Sequence, residues 1–154
     1  MKKILLTAFL LMLTTQASAW VSKGFVPKNV SQITVNISDQ ANDGCWTNIG
    51  EVNRYAEDKL ELSGHKVLKE KFDVYKDDRH YVLDIIIIAN RLGATCFGSY
   101  NLDISKQFYD KKIAGIFSVG QKYGTFSGYE NVNKYILNKV GKFMKEVEDP
   151  QWPK

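Results

Sequence analysis

Four isoleucines in a row, Ile85 to Ile88, constrain this chain more than any other feature. β-Branched side chains are stiff at χ1 and suit a pleated strand better than a helix. Successive strand residues point to opposite faces, so Ile85 and Ile87 need cover on one side and Ile86 and Ile88 on the other. Residues 81–89 are apolar apart from Asp84, which predicts a strand in a sheet with something packed on both faces. The second face can be covered by an extended arm at residues 20–25, by a second copy in a homodimer, or by a ligand, because monomers seldom leave large apolar patches bare.

The surrounding pattern supplies the rest of the sheet and two helices. Ile33, Val35 and Ile37 alternate with Thr34 and Asn36, the period of a half-buried strand. After Cys45, the residues Ile49, Val52, Ala56 and Leu60 recur at helical spacing. Asp43 or Asn48 can cap that helix, the latter with Glu51 in a capping box, and Gly64 suits its left-handed stop. Strand signals then follow at Leu68, Phe72 and Val74, at residues 81–89, at Tyr100, Leu102, Ile104 and Phe108, and at residues 113–119. Short loops at residues 76–79, 92–94 and 110–112 make these an antiparallel meander. Ser127 and Glu130 read as a capping box for a second helix carrying Val132, Ile136, Val140, Phe143 and Val147, which Asp149-Pro150 ends. The expected fold class is α+β, a two-layer sandwich of a mainly antiparallel sheet in the order β-α-β-β-β-β-α, with both helices on one face.

The amino terminus sets the compartment. Met1-Lys2-Lys3, an apolar run from Ile4 to Leu13, and Ala17-Ser18-Ala19 before Trp20 match a cleavable secretory signal. The run is too short to span a bilayer, which takes roughly 20 apolar residues. Residues 1–19 are therefore read as signal peptide and residues 20–154 as a single domain, exported to the periplasm or secreted. Cys45 and Cys96 are the only cysteines, and in an oxidising compartment they are expected to pair. Two sequons, at Asn29 and Asn36, are read as chance because the leader looks bacterial. Removing the leader takes two of 21 basic side chains against 17 acidic ones. A balance of +2 gives no case for a nucleic-acid partner.

The order of elements resembles that of small envelope proteins such as the amino-terminal domain of the translocation protein TolB and the lipopolysaccharide-assembly lipoprotein LptE. The resemblance covers element order alone and implies an envelope setting.

Chemistry-bearing residues are sparse. His65 follows the helix stop, and His80 lies beside Asp77, Asp78 and Arg79 in a charged hairpin region. No zinc, phosphate, dinucleotide or hydrolase motif is present, so neither metal nor cofactor is expected. Tyr123, Phe126 and Tyr129 interleave with Gly124 and Gly128, and are read as aromatics of a recognition loop between the last strand and the last helix. The expected function is a non-enzymatic binding module of the envelope, acting through that loop or the second sheet face on an envelope or secreted partner. The alternative is a small secreted enzyme or enzyme inhibitor with a loop site near His80 or residues 123–129. A concave pocket holding His65 or His80 with a carboxylate would favour the enzyme.

Overall fold

The computed structural model describes residues 20–69, 80–110 and 113–150. The isoleucine run lies in β4 (His80–Leu92), inside a six-stranded sheet of order β1-β6-β5-β4-β2-β3. The other strands are β1 (Trp20–Val21), β2 (Gln32–Ala41), β3 (Val67–Leu68), β5 (Thr95–Asp110) and β6 (Ile113–Tyr129). The helices are α1 (Ile49–Leu62) and α2 (Asn133–Glu148). The α+β class is as expected, with two helices and one disulfide on a mixed sheet curved into a half-barrel.

Strand directions correct the expected meander. Only β4, β5 and β6 form an antiparallel meander. β2 runs parallel to both β3 and β4, and α1 is the crossover that returns the chain from β2 to β3 in the same direction. The signal at Leu68 yields only the short β3, and the residues expected to extend it, with the charged loop at 76–79, lie outside the described residues. The arm contributes a strand of its own, since Trp20 and Val21 pair with Gln121 and Gly120.

One core absorbs both helices. Val52, Ala56 and Leu60 of α1 and Ile136, Val140, Phe143 and Val147 of α2 are buried with Ile33, Leu83, Ile85, Ile87, Leu102 and Ile104. Each fully buried side chain of this size contributes about 1.5–3 kcal/mol by transfer. The arm serves the same core, because Val21 and Phe25 are buried. Phe25 stacks on His65 at 4.7 Å and meets Tyr81 edge-on at 5.5 Å. Ile86 is half-buried and Ile88 is 42% exposed, so this stretch of the second face is not closed by the arm.

Ends of elements differ from expectation where pairing outcompetes capping. Ser127 pairs with Phe97 in β6 instead of capping α2. Helix α2 begins after Val132, and Asn131 Oδ1 accepts from the Asn133 N–H at 3.2 Å. Asn48 precedes α1 but does not cap it as expected: its Oδ1 accepts no hydrogen bond and its Nδ2 donates to Glu51 Oε2 at 2.8 Å, while Gly64 adopts φ +87 at the helix stop.

Cys45 and Cys96 are joined, with Cα atoms 5.7 Å apart. Around the bridge, the Val132 N–H donates to the Cys45 carbonyl at 2.8 Å. Arg91 donates to the carbonyls of Asp43 at 2.9 Å and Glu130 at 3.0 Å. Asn133 exchanges two hydrogen bonds with Thr47, at 2.9 and 2.8 Å. The starts of both helices are thereby fastened to the β4–β5 hairpin.

Replacing both cysteines by alanine should lower the unfolding free energy by about 4 kcal/mol, the chain-entropy value for a closed loop of roughly 50 residues, read from urea midpoints of the oxidised protein and the variant. Gly98 provides a second test. A Cβ there would stand 1.9 Å from the Ile88 carbonyl oxygen, so Gly98→Ala must push two paired strands apart and should cost at least about 2 kcal/mol in the same measurement.

Candidate binding face of the sheet

Alternation along β4 sends Leu83, Ile85 and Ile87 into the core and Asp84, Ile86 and Ile88 to the face away from it. Register then decides what meets there. Asp84 lies directly opposite Asp103 of β5 and beside Asn36 of β2. Asn36 Nδ2 donates to Asp84 Oδ1 at 2.7 Å. The Ser118 hydroxyl donates to Asp103 Oδ1. Ser118 reaches this face because of a bulge: Ile104 pairs with Gly120 but Ser105 pairs with Ser118, and the extra residue, Val119, reverses the facing of what precedes it.

The Asp103 carboxyl is pushed above the usual carboxylate range. Burial is the main cause; the Ser118 hydrogen bond opposes it, and the Asp84 charge adds to it. Asn101, opposite Ile86 and Tyr123, has a buried Oδ1 with no hydrogen-bond partner. Toward the β4–β5 turn the same face carries Ile88, Phe97 and Tyr123, which are 42%, 43% and 56% exposed. The face thus combines carboxylates, an amide and a hydroxyl with exposed apolar and aromatic surface, a composition suited to binding. Among the described residues no group of three His, Cys, Asp or Glu could hold a metal ion.

The expected aromatic loop is a strand. Tyr123, Phe126 and Tyr129 all lie in β6, because glycines there let rings of β5 lie flat across them; a Cβ on Gly124 would stand 2.8 Å from the Tyr100 hydroxyl. The three aromatics do not share a surface. Phe126 is buried, 5.6 Å from the Tyr135 ring of α2, and Tyr129 lies 5.0 Å from the same ring. Lys139 sits over Tyr135 at 4.8 Å. Tyr123 alone of the three reaches the open face, opposite Asn101.

The histidines are equally altered by context. His80 is the first residue of β4, 1% exposed, and hydrogen-bonded through Nε2 to the Thr34 hydroxyl at 3.2 Å. His65 is buried under Phe25, and burial holds its pKa below the ordinary value. It borders a cleft of about 300 Å3 that also includes Phe25, Ser63 and Glu148. That cleft does hold a histidine and a carboxylate, but Glu148 is paired with Lys59 at 3.4 Å and the Ser63 hydroxyl donates to the Lys59 carbonyl. No base-to-nucleophile hydrogen bond is formed there among the described residues.

No protein-family model matches the chain, and no curated protein sequence does. Among solved structures, the PelC dodecamer from Paraburkholderia phytofirmans is similar, with a TM-score of 0.54 and 12% identity over 87% of this chain and 97% of that one. A point variant of the same dodecamer gives 0.50 and 12% over 85% and 93%. At this identity the likeness is one of fold.

The Asp84–Asp103 pair has a measurable signature. A carboxyl whose folded pKa is raised costs stability only when ionised, so its penalty is absent below the unfolded value of 3.8 and grows as pH rises through the folded value. Asp103→Asn keeps an acceptor for Ser118 and removes that charge. The variant should be more stable at pH 7, by at most about 1 kcal/mol at this partly solvated site. Thermal unfolding from pH 7 down to 3.5 should show the advantage shrinking.

Proposed function

We propose that the protein is an exported module of the bacterial envelope that works by binding, through the sheet face away from the helices. One observation carries this: the exposed Ile88, Phe97 and Tyr123 lie on the same face as the Asp84–Asp103 pair, on its side toward the β4–β5 turn, a face that neither helix nor arm occupies. Export is supported by the leader at residues 1–19 and by the Cys45–Cys96 bridge, which belongs to an oxidising compartment. No helix among the described residues is long and apolar enough to cross a membrane. The enzyme alternative has less support, since His80 is enclosed and the His65 cleft lacks an activated nucleophile.

A second reading is self-assembly. It is favoured by the similarity of fold to PelC, which forms a dodecamer. The two readings are compatible, because an assembly can present its binding faces in parallel.

The binding reading is tested by capture from an envelope extract. The oxidised protein is compared with a variant carrying Ile88→Ser, Phe97→Ser and Tyr123→Ser. Loss of captured components by at least tenfold is expected, with unchanged unfolding midpoints. Equal recovery by both proteins would remove the face from consideration. Light scattering on the wild type measures self-assembly independently.

A further inference from the structure

The side chains that β2, β4, β5 and β6 turn away from the helices narrow what this face can bind. Beside the Asp84–Asp103 pair lie Asn36 and Gln121, and toward the β4–β5 turn come Ser38, Asn101, Ser99 and Thr125. Amides and hydroxyls thus predominate. The basic residues of these strands, Arg91, Lys106 and Lys122, alternate to the other side, opposite Cys96, Tyr81 and Leu102. A sheet face that only meets water commonly carries Lys, Glu and Arg. Among the described residues of the four strands this one carries none, and its charges are the two aspartates.

Other classes of ligand fit such a face poorly. Nucleic acid needs cations to neutralise its phosphates. A peptide adds to a sheet at an open edge, yet over residues 84–88 β4 is paired with β2 on one side and β5 on the other, and β5 is paired in turn with β6. A docking helix needs a continuous apolar groove. Here the exposed apolar groups alternate with polar ones across the strands: Ser99 is opposite Ile88, Asn90 and Ser127 are opposite Phe97, and Asn101 is opposite Tyr123. A pyranose has the complementary build. Its C–H faces suit an aromatic ring, and its rim of hydroxyls both donates and accepts, as Ser, Thr, Asn and Gln side chains do.

We propose that this face binds a glycan free of acidic groups, an inference that rests on the binding reading and names its ligand class. Tyr123 and Phe97 stack on sugar rings. Phe97 lies four residues along β5 from Asn101, the partner of Tyr123, so the two rings stand roughly 14 Å apart. That is the span of a short oligosaccharide and more than that of a single sugar. Asp84 and Asp103 accept from sugar hydroxyls, bonds that a charged acceptor strengthens, and the same carboxylates repel uronic acids, sulfates and phosphates. Asn101 Oδ1 is buried without a hydrogen-bond partner, and rotation of the amide toward a bound hydroxyl satisfies it.

The experiment titrates the oxidised protein, by calorimetry, with cellohexaose, laminarihexaose, mannohexaose and chitohexaose, and with an oligoalginate of similar length. In parallel, capture from an envelope extract is repeated after protease digestion and after periodate, which cleaves vicinal diols. An uncharged sugar, or extract material that survives protease and is lost with periodate, should bind, and oligoalginate should not. Tyr123→Ala should weaken that binding at least about tenfold, at an unchanged unfolding midpoint. Binding of oligoalginate, or binding of the uncharged material that Tyr123→Ala leaves intact, overturns the proposal. If no sugar binds and the captured material is lost to protease but spared by periodate, the ligand is a protein: the glycan inference fails and the binding reading stands. Absence of both capture and titration overturns the two together.

Discussion

The bond between Cys45 and Cys96 joins the segment leading into α1 to the second residue of β5, and the arrangement of both helices depends on it. Next to it, Arg91 holds the carbonyls of Asp43 and Glu130, and Asn133 is bonded to Thr47. A covalent tie alone would fix one distance. With the guanidinium fork and the amide pair, it fixes how α1 and α2 enter the layer over β4 and β5, because each terminus has donors or acceptors that must be satisfied. The helices then approach closely, and a Cβ on Gly141 would stand 3.0 Å from the Tyr55 hydroxyl.

The consequence is a division of labour across the sheet. One side is spent on the core, to which the arm is added through Phe25 and Val21. The other keeps a carboxylate pair in a setting of half-exposed apolar groups. Two adjacent carboxylates repel, and Asp103 bears that cost together with partial burial. Stability alone would not retain such an arrangement, which is why this face is the better candidate for binding than the better-packed aromatic cluster at Tyr135.

Much of the framework was legible in the residues. The period of α1 and α2, the strand at Ile85 to Ile88, the stop at Gly64 and the cysteine pairing all follow from local spacing or from elimination. The candidate site was less so. Asp84 stands out as the one charge in an apolar run, but nothing local to it specifies Asp103 as its neighbour. Tyr123, Phe126 and Tyr129 look like one loop motif because glycines separate them; in a strand the same glycines are the places where rings of the next strand lie down, as at Gly124 and Gly115.

What the sequence by itself determined is what short-range physics controls: helix period, strand period, turn residues and a single way to join two thiols. Tertiary structure alone decided that β2 runs parallel to β4, and that a bulge at Val119 brings Ser118 to Asp103. Each of these is a matter of register between segments distant in the chain. Register is set by the sum of packing over a whole sheet and not by any one stretch of residues.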